Sequence, residues 1–434
     1  MRPVHAFLFF KIIFEKYLFF ALKEGIISIC ILFQTFLFFN SSILIAQAPE
    51  FQCGTTEYLR LQKIANPDLE SVIQKQESLM KKWINENYIS DSMQIITIPV
   101  VVHIVYNKDE QNLPDIRVFE QIDMLNRDYA GLNQHPMWAF PDSLKANTGI
   151  QFCLAQRTPD GFPTNGIERR YTDVEAFMLA DSMKFYRLGG LDVWDQNKYL
   201  NIWICNVKLV NGYAKYPYIL DSSFGAVINY QCFGSTGAFG NRNNGGTASH
   251  EVGHCFNLLH IWGDDYGYCY GSDDCGDTPN QSNYTPYKNL SGVVTDSCTP
   301  ESPGIMYMNF MDYTSDSCVA NFTPEQSKRM RACFLSPNGS LRSLLNSDGC
   351  SPPTNIEEVT SELKELNIYP NPAENNITVT GITGNIKIMN IMGREVWNGL
   401  VNNEQGIDVS GFSAGIYYIV SSEKSQSANF LIMK

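Results

Sequence analysis

The sequence predicts an α/β (α+β) domain followed by a small all-β sandwich. A continuous β-branched stretch at 95–106, "IITIPVVVHIVY", is typical of a strand buried on both faces. A helical pattern follows at 115–129, and two further strand-like stretches lie at 198–207 and 224–230. Near the C-terminus, short pieces of alternating apolar residues are separated by Gly, Asn and Pro, which is the pattern of a sandwich. A chain of 434 residues is long enough for both units.

The first residues of the chain have a composition of their own. Basic residues precede a mostly apolar run at 26–45, and Ala46 follows it. This order is typical of a secretory signal, and we expect cleavage after Ala46. An uncleaved membrane anchor is the alternative, because the apolar run is long enough to span a bilayer. The predicted segments are a signal peptide at 1–46, a propeptide at 47–94, the α/β domain at 95–350, a linker rich in Pro, Ser and Glu at 351–365, and the sandwich at 366–434.

Composition limits the classes of partner and predicts the state of the cysteines. The formal net charge of −13 argues against nucleic acid or an anionic membrane as the main partner. No segment after the leader is apolar enough to span a bilayer, so we expect no stable membrane span after processing. The chain has 12 cysteines, and loss of Cys30 with the leader leaves an odd number. Since exported chains usually pair their cysteines, we expect mostly disulfides and at least one thiol.

A dense group of histidines lies in "TASHEVGHCFNLLHIW" (247–262). His250 and His254 are four residues apart, so on a helix they project from one face and can bind one Zn²⁺. Glu251 lies beside them and can take a proton from a zinc-bound water, whose pKa the metal lowers. A helix with incidental surface histidines is the alternative.

The third histidine of the group requires a bend in the chain. His260 follows six residues after His254, where a straight helix would carry it away from the ligand face. The helix must therefore end and the chain must turn sharply, which needs a residue at positive φ. Asn257 lies where this turn is needed, and asparagine tolerates positive φ better than most residues. We therefore predict that Asn257 ends the helix and delivers His260 to the metal.

The stretch "HEVGHCFNLLH" (250–260) resembles the metzincin zinc signature His-Glu-x-x-His-x-x-Gly-x-x-His, with Asn257 in place of the glycine. Three later stretches are similar to the pappalysin-type branch, specifically to the cytophagalysin- and ulilysin-like secreted metalloproteases. They are "GDTPNQ" (276–281), "MNFMDYTSDSC" (308–318) and "FTPEQSKRM" (322–330). The resemblance implies a metzincin catalytic domain with two subdomains around a cleft.

The resemblance also implies roles for individual residues. It places zinc on the three histidines and makes Glu251 the general base and acid. Met311 matches the methionine of the turn beneath the zinc, although taken alone it would be read as a buried core methionine. Tyr313 matches a tyrosine whose phenol stabilises the oxyanion of the tetrahedral intermediate, where negative charge develops.

Cys53 lies in "FQCGTTEYLR" (51–60), soon after the leader. Relatives of this type carry Cys-Gly-Thr near the start of the propeptide. The resemblance therefore implies a zymogen switch, in which the Cys53 thiolate takes the fourth zinc position. The odd number of cysteines leaves one sulfur for this role, and an ordinary disulfide is the alternative.

The irregular stretch after the histidines is rich in cysteines and carboxylates. Four cysteines are expected to brace it with disulfides of undetermined pairing, namely Cys269, Cys275, Cys298 and Cys318. Five aspartates crowd the same stretch, namely Asp264, Asp265, Asp273, Asp274 and Asp277. They are interpreted either as solvated loop carboxylates or as ligands of structural Ca²⁺, which relatives are known to bind. The strand at 224–230 is expected to be the edge of the cleft, where a peptide substrate would add as an extended strand.

The C-terminal stretches "LNIYPNPAENNITV", "IMNIMGREV", "IDVSGFSAGIYYI" and "NFLIMK" resemble the sorting domain of the type IX secretion system of Bacteroidetes. This resemblance covers 366–434. It implies Sec export, passage through the outer membrane, and release or attachment at the cell surface. A carbohydrate-binding sandwich is the alternative.

Together these patterns predict a secreted or surface-attached zinc endopeptidase that is made as a latent zymogen. It would hydrolyse protein or peptide substrates through a zinc-bound water activated by Glu251. Its expected partners are those substrates and the secretion machinery. A metalloprotease with a distant Glu as third ligand and a surface binding protein with a relict zinc site are the alternatives.

Overall fold

A computed structural model describes residues 51–87, 94–235, 244–286, 288–353, 366–390, 395–402, 404–421 and 427–434. The predicted signal peptide and most of the predicted linker lie outside these residues. The chain divides into two compact units, Met1–Pro352 and Pro353–Lys434. Within the described ranges, no helix has both the length and the apolar character needed to cross a membrane.

The first unit is built around a seven-stranded mixed sheet. Its strands are β1 (Phe51–Cys53), β2 (Ile96–Tyr106), β3 (Ile150–Leu154), β4 (Ile167–Tyr171), β5 (Leu200–Cys205), β6 (Val210–Ala214) and β7 (Ala226–Asn229). The order across the sheet is β1-β6-β7-β5-β2-β3, and β4 also pairs with β2. The pairing of β6 with β7 is antiparallel, and the other pairings are parallel. Strand β2 is buried along nearly its whole length, as its β-branched sequence predicts.

Five α-helices accompany this sheet in the described residues. They are α1 (Thr55–Ala65), α2 (Leu69–Glu86), α3 (Asp115–Tyr129), α4 (Gly246–Cys255) and α5 (Pro324–Leu335). The predicted apolar face of α3, formed by Val118, Ile122 and Leu125, is buried in the main core. Helix α4 is buried along all ten residues, so the side chains that it carries are shielded from solvent.

The edge of the sheet differs from the sequence prediction. The stretch at 224–230 forms β7, which lies between β5 and β6 rather than at the edge of the sheet. Strand β6, "VNGYA", takes the outer position, and β1 adds beyond it. The prediction was wrong because β6 contains Asn and Gly and lacks the β-branched pattern that marks strands in a sequence.

The disulfide prediction was largely wrong. Among the residues that the structure describes, two disulfides join Cys153 to Cys350 and Cys269 to Cys298. The other described cysteines are buried thiols, namely Cys53, Cys205, Cys232, Cys255, Cys275, Cys318 and Cys333. The thiol of Cys318, for example, lies 3.4 Å from the carbonyl oxygen of Leu290 and accepts from its N–H. Most of these cysteines therefore serve as small buried side chains rather than as covalent links.

The second unit is an all-β sandwich, which confirms the prediction for the C-terminal residues. Its strands are β8 (Asn367–Tyr369), β9 (Asn376–Thr380), β10 (Gly384–Asn390), β11 (Glu395–Val401), β12 (Gln405–Asp408), β13 (Gly415–Ser421) and β14 (Ser427–Ile432). They form a four-stranded sheet, β11-β10-β13-β14, and a three-stranded sheet, β12-β9-β8. Apolar side chains from both sheets, including Ile377, Ile388 and Ile419, form one core.

Candidate metal centre

Helix α4 and the turn after it bring three histidines together. His250 and His254 lie one helical turn apart, with their Nε2 atoms separated by 3.1 Å. The helix ends at Cys255, and Asn257 has a φ of +69°. This left-handed residue reverses the chain, and the Nε2 atom of His260 then lies 3.3 Å from that of His250 and 3.1 Å from that of His254.

The hydrogen bonds of the imidazoles show which nitrogen is free to bind a metal. The Nδ1 atoms of His250 and His254 lie 2.7 Å from the carbonyl oxygens of Phe310 and Leu258, which can only accept. These Nδ1 atoms must therefore carry the protons, and the unprotonated Nε2 atoms face one another. Burial lowers the pKa of His250 to about 3 and that of His254 well below its usual value, which keeps both rings neutral.

A tetrahedral cation fits this arrangement. Nitrogens ~2.0–2.1 Å from one tetrahedral ion lie ~3.3 Å apart, close to the observed separations. Three converging lone pairs without a cation would repel one another, so the donor set calls for a positive centre. Among the described residues, the one group of His, Cys, Asp and Glu that could hold a metal is Cys53 with the three histidines. Their candidate ligand atoms lie within 4.8 Å of one another.

Strand β1 delivers Cys53 to this group. It runs parallel to β6, with Cys53 opposite Gly212, and the N–H of Gly54 donates to the carbonyl of Gly212 at 2.9 Å. The phenol of Tyr313 lies 3.4 Å from the carbonyl oxygen of Cys53. Strand β1 therefore lies between β6 and the segment that carries Tyr313.

Glu251 is fully buried beside the histidines. Its Oε2 atom accepts from the hydroxyl of Thr55 at 3.0 Å and lies 3.4 Å from the sulfur of Cys53. Burial raises the pKa of this carboxyl to about 8. A Cβ atom at Gly212 would lie 2.9 Å from the Cγ atom of Glu251, so the sheet approaches the carboxylate closely only because this residue is glycine. The sequence patterns did not single out Gly212, which lies in the strand that they missed.

Met311 contacts helix α4, and Tyr313 contacts the histidine group itself. Met311 is buried beneath α4, where its sulfur would be 2.7 Å from a Cβ atom at Gly253. The phenol oxygen of Tyr313 lies 3.3 Å from Nε2 of His260. Burial raises the pKa of Tyr313 well above its usual value, so the phenol keeps its proton and can donate.

Two neighbours of His260 were not assigned to it from the sequence. Both carboxylate oxygens of Asp264 lie 3.0 Å from Nδ1 of His260, and the ring of Trp262 stacks on the imidazole at 4.1 Å. The carboxylate orients the ring and strengthens it as a ligand. Their positions, two and four residues after His260, are the only local signal that could have indicated this.

The other aspartates of the irregular stretch have separate protein partners. Asp265 accepts four backbone N–H groups from residues 267–271. Asp273 accepts from the N–H of Cys275, Asp274 pairs with Lys81, and Asp277 caps α5. These carboxylates stabilise the loop directly.

Comparisons with known proteins agree with the geometry. A family model described as pregnancy-associated plasma protein-A matches residues 190–335, and a secretion system C-terminal sorting domain matches residues 367–434. An extracellular metalloprotease of Colletotrichum graminicola is 30% identical over 249 residues, covering 55% of this chain and 76% of that protein.

Solved structures extend the likeness to more than half of this chain. A mutant of Tannerella forsythia promirolysin is 40% identical, with a TM-score of 0.61 over 68% of this chain and 97% of that one. Mature mirolysin in complex with a cleaved peptide is 44% identical, with a TM-score of 0.57 over 58% and 97%.

The fold, the His/Cys cluster and these relatives agree on a metalloendopeptidase that is secreted or attached to the cell surface. The chain belongs to the pappalysin family of metalloproteases and ends in a type IX secretion sorting domain.

Proposed function

We propose that the chain is the latent precursor of a zinc endopeptidase whose metal is held by His250, His254 and His260. The convergence of the Nε2 atoms of three buried histidines is the observation that carries this proposal. When bound, zinc would supply Lewis acidity to a water and to the carbonyl of a peptide bond.

The residues around the metal suit the remaining chemistry. Glu251 would take the proton of the attacking water and return it to the leaving amine. Its Oε2 atom lies 3.4 Å from the sulfur of Cys53, so in the processed enzyme it would face the position of the attacking water. Tyr313 would donate its phenol hydrogen bond to the oxygen on which negative charge develops. Met311 would support the histidines from below, and Asn257 would set the turn that positions His260.

Replacement of Glu251 tests the chemistry. Glu251→Ala should retain one zinc per chain and lose hydrolysis of a peptide library by about 10²–10⁴-fold, the usual contribution of a general base. Glu175→Ala, a change at an exposed glutamate, is the matched control and should retain activity. Equal hydrolysis by the Glu251 variant would contradict the assignment. Zinc retained with no hydrolysis by the processed wild-type chain would favour the relict binding protein.

Replacement of His260 separates the two enzyme hypotheses. His260→Ala should lower zinc content and activity together, because His260 supplies one of three converging nitrogens. Full zinc occupancy in this variant would favour a distant Glu as the third ligand.

We also propose that residues 47–94 form the propeptide and that Cys53 is its switch, with its sulfur in the fourth ligand position. Strand β1 pairs with β6, the strand with which an extended substrate would pair. Thr55, two residues after Cys53, donates a hydrogen bond to the carboxylate of Glu251. Cys53→Ala should give activity before processing, while Cys205→Ala, a buried thiol of β5, should stay latent. An equally latent Cys53 variant would contradict the switch.

Residues 95–350 would then be the peptidase domain, 351–365 the linker and 366–434 the sorting domain. Deletion of 366–434 should leave the protein in the periplasm, and normal export would contradict this. Structural Ca²⁺ in the aspartate-rich stretch stays a prediction, which a calcium-independent melting temperature would reject.

A further inference from the structure

Helix α2 contacts the first unit through few buried residues. Of its 18 residues, only Leu69 is buried, and all the others are exposed or half-buried. Glu77, near the middle of the helix, is the exception among its charged side chains, because its side chain is only 15% exposed. A carboxylate in this position needs partners that replace its hydration.

Three side chains of the enzyme supply those partners. The Oε1 atom of Glu77 accepts from the amide of Asn257 at 2.7 Å, from the guanidinium of Arg329 at 2.8 Å and from the phenol of Tyr218 at 3.0 Å. All three donors are buried, with exposed fractions of 0%, 2% and 7%. Asn257 lies in the turn after α4, Arg329 lies in α5, and Tyr218 lies in the segment after β6. These three donors therefore converge only in the folded protein.

This contact is joined to the turn that positions His260. The Nε atom of Arg329 donates to the backbone carbonyl of Asn257 at 2.6 Å, while the same guanidinium binds Glu77. A glycine at 257 would keep the left-handed turn but could not bind the carboxylate. The asparagine therefore adds a contact to the propeptide that the glycine of the metzincin signature cannot make.

We propose that Asn257, Arg329 and Tyr218 form a second propeptide-binding site, which takes the carboxylate of Glu77 and adds to the latency that Cys53 provides. This inference rests on the proposed latency of the chain. Cys53 would block the metal directly, whereas the Glu77 site holds α2 against the turn at Asn257. Loss of Cys53 alone would therefore give partial activity, and full activation would need release of both contacts.

Hydrogen–deuterium exchange of the full chain measures the docking of α2. In a Glu251→Ala chain, which lacks the proposed general base and so cannot cleave itself during the measurement, Glu77→Gln should speed exchange of the amides of α2 at least tenfold, or ~1.4 kcal/mol. Glu86→Gln is the matched control, because its carboxylate lies 3.9 Å from Lys82 of the same helix. Unchanged exchange in the Glu77 variant, or an equal change in the control, would overturn the proposal.

Asn257→Gly tests the enzyme side of the same contact. It should speed exchange of α2 in the same direction, and combining it with Glu77→Gln should add little, because both changes remove one shared contact. If the two increases in exchange rate multiply in the double variant, the proposed contact between Asn257 and Glu77 is overturned.

Hydrolysis links the site to latency. With Glu251 intact, the unprocessed Cys53→Ala/Glu77→Gln chain should cleave a short peptide at least tenfold faster than Cys53→Ala alone. Equal rates would overturn the role of the second propeptide-binding site in latency. Failure of the proposed function has a different signature, because no variant would then hydrolyse peptide while the exchange data would still report the docking of α2.

Discussion

The buried histidines of the first unit follow two different designs. In the metal centre, each Nδ1 donates to an oxygen and each Nε2 faces the other histidines. At His103 in β2, both nitrogens face oxygens, namely Oε2 of Glu168 at 2.8 Å and Oδ1 of Asn201 at 2.9 Å. The amide of Asn201 is fixed, because its Nδ2 donates to the carbonyl of Trp194.

The difference shows what decides the role of a buried histidine. Both ring nitrogens of His103 face oxygen atoms of side chains, so the ring is held by hydrogen bonds that join three strands. The other three keep one lone pair each, so their arrangement is completed by a cation from outside. Burial alone does not distinguish these roles, since all four rings are almost completely inaccessible.

Loss of a ligand should have the largest effect. His254→Ala should weaken zinc binding by more than about 100-fold, beyond the 10–100-fold cost of losing an outer-shell partner. Metal analysis after dialysis and peptide hydrolysis measure the result. Full zinc content in this variant would contradict the assignment of His254 as a metal ligand, which distinguishes it from His103.

Replacement of His103 should lower the stability of the protein and leave its zinc content unchanged. His103→Leu removes the ring that hydrogen-bonds both Glu168 and Asn201 and should lower the free energy of unfolding by ~2–3 kcal/mol. The Glu168 side chain is 34% exposed, so water can replace part of its bonding in the variant. Urea denaturation measures the loss, and zinc content should stay at one per chain. A fall in zinc content would show that His103 also supports the metal centre.

Asp264→Asn tests the carboxylate that contacts Nδ1 of His260. The amide can still accept from Nδ1 of His260 but carries no charge, so zinc affinity should fall about 10-fold. Competition with a fluorescent chelator measures the affinity, and Asp265→Asn, which affects the neighbouring loop, serves as the control. Equal affinities in the two variants would contradict a role for the Asp264 charge.

The smallest effect is expected at the turn. Asn257→Val should weaken the free energy of zinc binding by ~1–2 kcal/mol, because a β-branched residue is strained at a φ of +69°. Asn257→Gly should preserve the turn and the zinc affinity. Zinc affinity of the processed enzyme separates the two. Equal affinities would mean that the turn does not need its positive φ.

Sequence alone was sufficient for the fold class and for the local part of the metal centre. The β-branched run predicted β2, and the alternating pieces predicted the C-terminal sandwich, because burial on one or two faces leaves a direct trace in the residue pattern. The spacing of His250 and His254 defines a helix face, and the need for a turn points to Asn257. These features depend on residues a few positions apart.

Only the tertiary structure decided the contacts between distant segments. It placed β1 on β6, Glu77 on Asn257, and the sulfurs of Cys275 and Cys318 in the interior without disulfides. Strand β6 has no distinctive pattern, and the partners of Glu77 come from three separate segments. Which buried group meets which partner depends on how those segments pack, and no local spacing in the chain records that packing.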